Sequence, residues 1–132
     1  MKIAVISETA ALETRVAATP ETIKKLIGLG AAITIEAGAG KNSGIPDADF
    51  AAAGAIIAPS AKEALSDAAV VLKVRRPSDA EIALIPKGAL VLAIMDPYDS
   101  AEALSAMAHA GLSAFSMELM PRITRAQVMD VL

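Results

Sequence analysis

The 132-residue chain has no cysteine and no tryptophan, one histidine, one tyrosine and two phenylalanines. Each shortage excludes something. Without cysteine there is no disulfide framework, no thiolate nucleophile and no thiolate-held metal, which fits a reducing compartment. A single His109 cannot build a His-rich metal cluster, and with no cysteine beside it no Ser/His/Asp or Cys/His constellation can be assembled. Positive charge is also short: 12 Lys and Arg stand against 15 Asp and Glu. Binding nucleic acid normally needs a basic stripe that displaces counterions from phosphates, so no nucleic-acid partner is expected. No apolar run approaches the roughly 20 residues needed to cross a bilayer. The opening Met1-Lys2-Ile3-Ala4-Val5-Ile6 is basic then apolar, but Glu8 ends it too early for a secretory signal. A soluble, cytoplasmic protein is the expectation.

What is present is aliphatic. The chain is 55% hydrophobic and only 2% aromatic, so its core must be built from Ala, Val, Ile, Leu and Met in closely packed elements. Short apolar runs alternate with helical patterns. Residues 3–6, 31–35, 55–58, 70–74, 89–95 and 112–115 read as strands, and the fourth and fifth are apolar almost throughout, as in a parallel sheet covered on both faces. Between them, Thr19 is placed as an N-cap with Pro20 at the first helical position, where its missing N–H costs nothing. Gly28 and Gly30 supply that helix's stop. Asp47 opens a short Ala-rich helix that ends at Gly54. Ser60 with Glu63, and Ser78 with Glu81, have capping-box spacing. Asp99 or Ser100 starts a helix that reaches His109 and stops at Gly111. Thr124 with Gln127 has the last capping-box spacing and is expected to open a final helix, running into Leu132 without a stop signal; a continuing polypeptide is expected. The alternation predicts one α/β domain with a mostly parallel sheet and helices on both faces.

Few groups stand out as chemical. The run Gly38-Ala39-Gly40-Lys41-Asn42-Ser43-Gly44 suggests a phosphate loop but has the wrong spacing. A P-loop would need Gly at Ile35 and Ser or Thr at Asn42, and a dinucleotide fingerprint would need Gly at Ser43 after the first strand. It reads as a left-handed-rich turn. His109 reads as a surface residue at a helix C-terminus. Arg15, after the first strand, and Lys73, ending the fourth, both fall at the carboxyl edge, where open α/β sheets bind ligands. Together they suit a carboxylate or phosphate, or they are ordinary loop cations. Glu118 to Asp130 leaves the same edge. On a helix Gln127 and Asp130 would share one face beside Arg122, fit to hold a carboxamide or ribose, or would serve only as cap and solvated residue.

Four motifs then occur in order: Arg15-Val16-Ala17-Ala18-Thr19-Pro20, Glu36-Ala37-Gly38-Ala39-Gly40, Leu72-Lys73-Val74-Arg75-Arg76-Pro77 and Met117-Glu118-Leu119-Met120-Pro121-Arg122. Together they resemble the N-terminal domain shared by alanine dehydrogenase and the alpha subunit of the proton-translocating NAD(P) transhydrogenase. The last motif, continuing through Arg125-Ala126-Gln127-Val128-Met129-Asp130, is more similar to the transhydrogenase. The resemblance implies a three-layer domain, Rossmann-like or flavodoxin-like, joined to a second domain that carries the NAD(H) fingerprint. It implies hydride transfer from NADH to NADP(H) held on another component, with proton movement through a membrane component. The protein would then sit at the inner membrane only through its partners, as a homodimer. Arg122 is implied to hydrogen-bond the nicotinamide carboxamide, and Gln127 and Asp130 to position the nicotinamide end. The chain alone is expected to fold but to bind NAD(H) poorly and to be inactive. The alternative within the resemblance is an alanine dehydrogenase, in which Arg15 and Lys73 would hold pyruvate. That family's pattern has a His after the fifth strand, where this chain has Met95-Asp96-Pro97-Tyr98; from the transhydrogenase pattern the chain departs at Ser7, where a Pro is usual, and in a short Asp96-Pro97-Tyr98 loop. An alternative of another class is a non-catalytic α/β interaction or dimerisation module. No metal is expected.

Overall fold

A computed structural model describes residues 1–131. The chain runs β1 (Lys2–Val5), α1 (Pro20–Gly28), β2 (Ala32–Glu36), α2 (Asp47–Ala52), β3 (Ile56–Ala58), α3 (Ala61–Leu65), β4 (Val70–Arg75), α4 (Asp79–Ile82), β5 (Leu90–Ile94), α5 (Ala101–His109) and β6 (Ser113–Ser116), with 3-10 turns at Lys41–Ser43, Pro97–Asp99, Met117–Leu119 and Thr124–Met129. The six strands form one sheet in the order β3-β2-β1-β4-β5-β6, and every pairing is parallel. That is the Rossmann order rather than the flavodoxin one.

The order dictates the layers. Parallel crossovers are right-handed, so a chain that steps outward from β1 to β3 and then from β4 to β6 in the opposite direction must put its helices on opposite faces. Ile3, Val5, Ile33 and Ile35 accordingly pack with Ile23 of α1 and Phe50 of α2 in one cluster. Ala4, Val71, Val91 and Ala93 pack with Leu65, Ile82 and Met107 of α3, α4 and α5 in the other. Alternation along β4 and β5 leaves Leu72, Val74, Leu92 and Ile94 half-buried on the α1 side. They line a cavity of about 430 Å³ there, which Met117 and Val131 also border.

Local chemistry explains most boundaries. Thr19 caps α1 as expected, and Thr22 returns the bond to close a capping box. Ser78 and Glu81 form the expected box on α4. Ser60 accepts from Glu63 N at 3.3 Å, but the reciprocal arm is not made, so this box is half-formed. Gly40 is needed for space. A Cβ there would lie 2.5 Å from the Ile45 carbonyl oxygen and 2.6 Å from Phe50 Cε2. Gly38 and Gly44, with φ of 80° and 72°, give the expected left-handed turn.

The expected helix from Thr124 is not α-helical. Thr124–Met129 is a 3-10 turn whose N-cap is Ile123, with no side-chain cap, and it ends at Asp130 in extended conformation. Only Ala126 on it is buried, and a helix without an apolar face to pack has little to sustain it. The expected run into Leu132 lies outside the described residues.

Gly40→Ala should destabilise the domain by about 1–3 kcal/mol through overpacking against Phe50 and Ile45. Gly28→Ala meets nothing within 4 Å and should stabilise α1 by up to about 1 kcal/mol. Urea unfolding of both variants checks the pair of opposite signs.

Candidate functional site

The carboxyl ends of β1 and β4 lie side by side where the strand order reverses, which opens a crevice. Its floor is a buried charge cluster. Lys73 is 5% exposed, and its Nζ donates to Glu81 Oε2 at 2.9 Å and Oε1 at 3.1 Å. Glu8 Oε2 lies 3.8 Å from the same ammonium. The Glu8 carboxylate also accepts from Val74 N at 3.1 Å and Arg75 N at 2.8 Å, binding the exit of β1 to the end of β4. Burying an ammonium is costly unless it is paired, and here two carboxylates from different elements surround it.

Above this floor Glu13 gathers the loop cations. Arg15 Nε and Nη2 each donate to it at 2.8 Å, and Arg75 Nε donates at 3.0 Å. Hydrogen bonding from the Arg15 side chain is the main cause that takes Glu13 from its ordinary 4.5 down to about 2, with burial opposing and Arg75 assisting. Arg76 Nη1 donates to the Met95 carbonyl at 2.9 Å and to Ser100 Oγ, tying β4 to the start of α5.

At the far side Glu118 accepts from Met95 N at 3.1 Å, Asp96 N at 2.8 Å and Ser116 Oγ. Burial alone would raise its pKa; the hydrogen bonds from Ser116, Asp96 and Met95 outweigh that and hold it at about 2. Beyond it, Arg122 Nε and Asp130 Oδ2 lie 3.9 Å apart at the surface. Gln127 is exposed on the turn between them.

Three comparisons place this geometry among known proteins. Residues 4–132 match the family described as Alanine dehydrogenase/PNT, N-terminal domain. The chain belongs to that family. Over its whole length it is 45% identical to an alpha-subunit polypeptide of the NAD(P) transhydrogenase of Rhodospirillum rubrum, of which it spans 36%. It aligns over its whole length with the crystal structure of transhydrogenase from Sinorhizobium meliloti, at TM-score 0.96 and 53% identity, covering 39% of that chain. Alanine dehydrogenase of Mycobacterium tuberculosis is more distant, at 34% identity over 89% of this chain and 32% of its own. The chain thus spans about a third of the length of these relatives.

Within the family frame the expected residues fall into two groups. Arg15 and Lys73 both border the 430 Å³ cavity, yet each is already held by carboxylates: Arg15 by Glu13, Lys73 by Glu81 and Glu8. Arg122 and Asp130 are brought together, although not on an α-helical face with Gln127 as expected; the 3-10 turn closes differently, with Asp130 N donating to the Gln127 carbonyl at 3.3 Å. His109 is exposed at the end of α5, as expected. Sequence reasoning missed Glu8, Glu13 and the second role of Glu81. Glu13 stands two residues before Arg15 and could have been paired with it. Glu81 is visible only as a cap residue, because its reach to Lys73 depends on where α4 lands. No helix among the described residues is long and apolar enough to cross a membrane.

Lys73→Met should cost about 3–5 kcal/mol, because it leaves two buried carboxylates without their cation; denaturant unfolding measures it. The depressed pKa of Glu118 contributes stability that is fully present above its ordinary 4.5 and is lost as pH falls towards about 2. Thermal melts across that window should show Glu118→Gln losing less stability on acidification than the parent protein.

Proposed function

We propose that this domain forms the N-terminal part of the NAD(H)-binding component of a proton-translocating NAD(P) transhydrogenase, in which hydride passes from NADH to NADP+. The observation that carries the reading is likeness over the whole chain to transhydrogenase subunits, at 45% and 53% identity. The main grip on the dinucleotide belongs to a second, glycine-fingerprint domain of the longer polypeptide. NADP(H) is held on a partner component, and a membrane component carries the protons. The assembly holds this domain at the inner membrane without a span of its own, and it works as a homodimer. Alone, the domain folds but binds NAD(H) poorly and is inactive.

The contribution of these residues is orientation. A nicotinamide carboxamide has one acceptor oxygen and an NH2 donor. Arg122 offers donors and Asp130 an acceptor 3.9 Å apart, a complementary edge for such a group, with Gln127 beside them. Nicotinamide supplies the hydride chemistry when bound; the protein sets the angle and distance of approach. Orientation acts on the transfer step more than on affinity, since most of the dinucleotide is held elsewhere.

The second reading, alanine dehydrogenase, draws on Arg15 and Lys73 at the cavity as pyruvate contacts. Against it, β5 exits into Met95-Asp96-Pro97-Tyr98 with no histidine to move a proton, and both cations already have carboxylate partners.

The test uses the full-length component with its partners. Arg122→Ala and Asp130→Ala should each slow hydride transfer from NADH to an NADP+ analogue by about tenfold or more. Near-normal rates in both would remove the site assignment. Alanine-dependent NAD+ reduction without transhydrogenation would overturn the reading in favour of the second.

A further inference from the structure

We propose that Glu118 is a positioning residue for the Arg122–Asp130 segment, fixing where that segment leaves the sheet by clasping the exit of β5. The proposal rests on the reading of Arg122 given above. Glu118 lies in the turn that follows β6, and its carboxylate takes donors from two neighbouring strand exits. Oε1 accepts from Met95 N and from Ser116 Oγ, and Oε2 accepts from Asp96 N. Asp96 has φ of 51°, a left-handed conformation that Asp tolerates better than most side-chain-bearing residues and that neighbouring contacts can hold in place. A carboxylate oxygen 2.8 Å from its N–H is such a contact.

The other side of the turn is fixed as well. Met117 borders the cavity under the sheet edge, and Met120 N donates to the Met117 carbonyl at 3.2 Å. Past Met120 the chain is held by local backbone bonds, Ile123 N to the Pro121 carbonyl and Ala126 N to the Ile123 carbonyl, both at 2.9 Å, with Ala126 buried and Arg122 3.9 Å from Asp130. Arg122 is four residues from Glu118, so the clasp anchors to the sheet the turn from which its segment departs. Charge and shape both matter. Two carboxylate oxygens meet two backbone N–H groups, whereas a carboxamide has one oxygen and would turn an NH2 donor against a second donor.

The experiment uses the full-length component with its partners and compares Glu118→Gln, Arg122→Ala and the double variant. Glu118→Gln should lower hydride transfer about tenfold while the Kd for NADH changes less than about threefold. Amide exchange at Met95 and Asp96 should quicken in the same variant. In the double variant the transfer rate should match that of Arg122→Ala alone, because Glu118 acts through that segment. Should Glu118→Gln not accumulate as folded protein, Ser116→Ala removes only the hydroxyl arm and should lower transfer about threefold with the same unchanged Kd. A folded Glu118→Gln protein with normal turnover overturns the proposal. So does a double variant slowed by the full product of the two single effects. A slow Arg122→Ala beside a normal Glu118→Gln removes only the clasp, whereas a normal Arg122→Ala removes the nicotinamide reading and this proposal together.

Discussion

The ammonium of Lys73 is the point at which the two halves of the sheet are joined. It is nearly inaccessible to water, and it holds Glu81 of α4 against β4 while Glu8 approaches from the exit of β1. Glu8 in turn takes the backbone N–H groups of Val74 and Arg75. At a strand-order reversal no crossover helix connects the neighbouring strands, so β1 and β4 meet through their ladder, their apolar faces and the polar contacts at their exits, the Arg75–Glu13 pair among them. The polar cluster ties their carboxyl ends and sets the width of the crevice that the loops with Arg15, Arg75 and Arg76 surround. Buried ion pairs are weak sources of net stability, and what this one does is hold two strand exits and α4 in one arrangement. That arrangement lies at the edge where ligands of this fold bind.

Those carboxylates also decide what the edge can do. Arg15 and Lys73 are the residue types that would hold a small anion, and their position is right for it. Glu13 takes the Nε and one Nη2 donor of Arg15, and Glu81 takes the ammonium of Lys73, so both charges are already balanced by carboxylates. The exposed donor and acceptor lie further out, on Arg122 and Asp130. The geometry therefore separates a neutralised, structural centre from a polar outer segment.

How far this was legible in the chain follows from which forces are local. Strand and helix alternation, the cap at Thr19, the box at Ser78 and Glu81 and the turn glycines rest on neighbouring residues, and each is found within a residue or two of its expected place. The parallel sheet follows from alternation; its order was left open between the Rossmann and flavodoxin arrangements, because alternation alone does not say on which side of β1 each later strand is added. The last segment failed because capping-box spacing at Thr124 and Gln127 is a necessary sign of a helix start and not a sufficient one. A helix there would need a surface on which to bury one face, and only Ala126 finds one. The carboxylate partners of Arg75, Lys73 and the Met95–Asp96 backbone were invisible for another reason. They bridge residues as far apart as 67 positions, and spacing says nothing about such pairs until the sheet has brought the strand ends together.

The uncapped 3-10 turn at Thr124–Met129 has a thermodynamic consequence. Of its residues only Ala126 is buried, and no side-chain hydrogen bond caps its start, so apolar packing orders it less than it orders the helices. A ligand that engages Arg122 and Asp130 must immobilise this stretch, and the entropy lost offsets part of the enthalpy gained. Contacts made on this segment therefore add less net affinity than their number suggests.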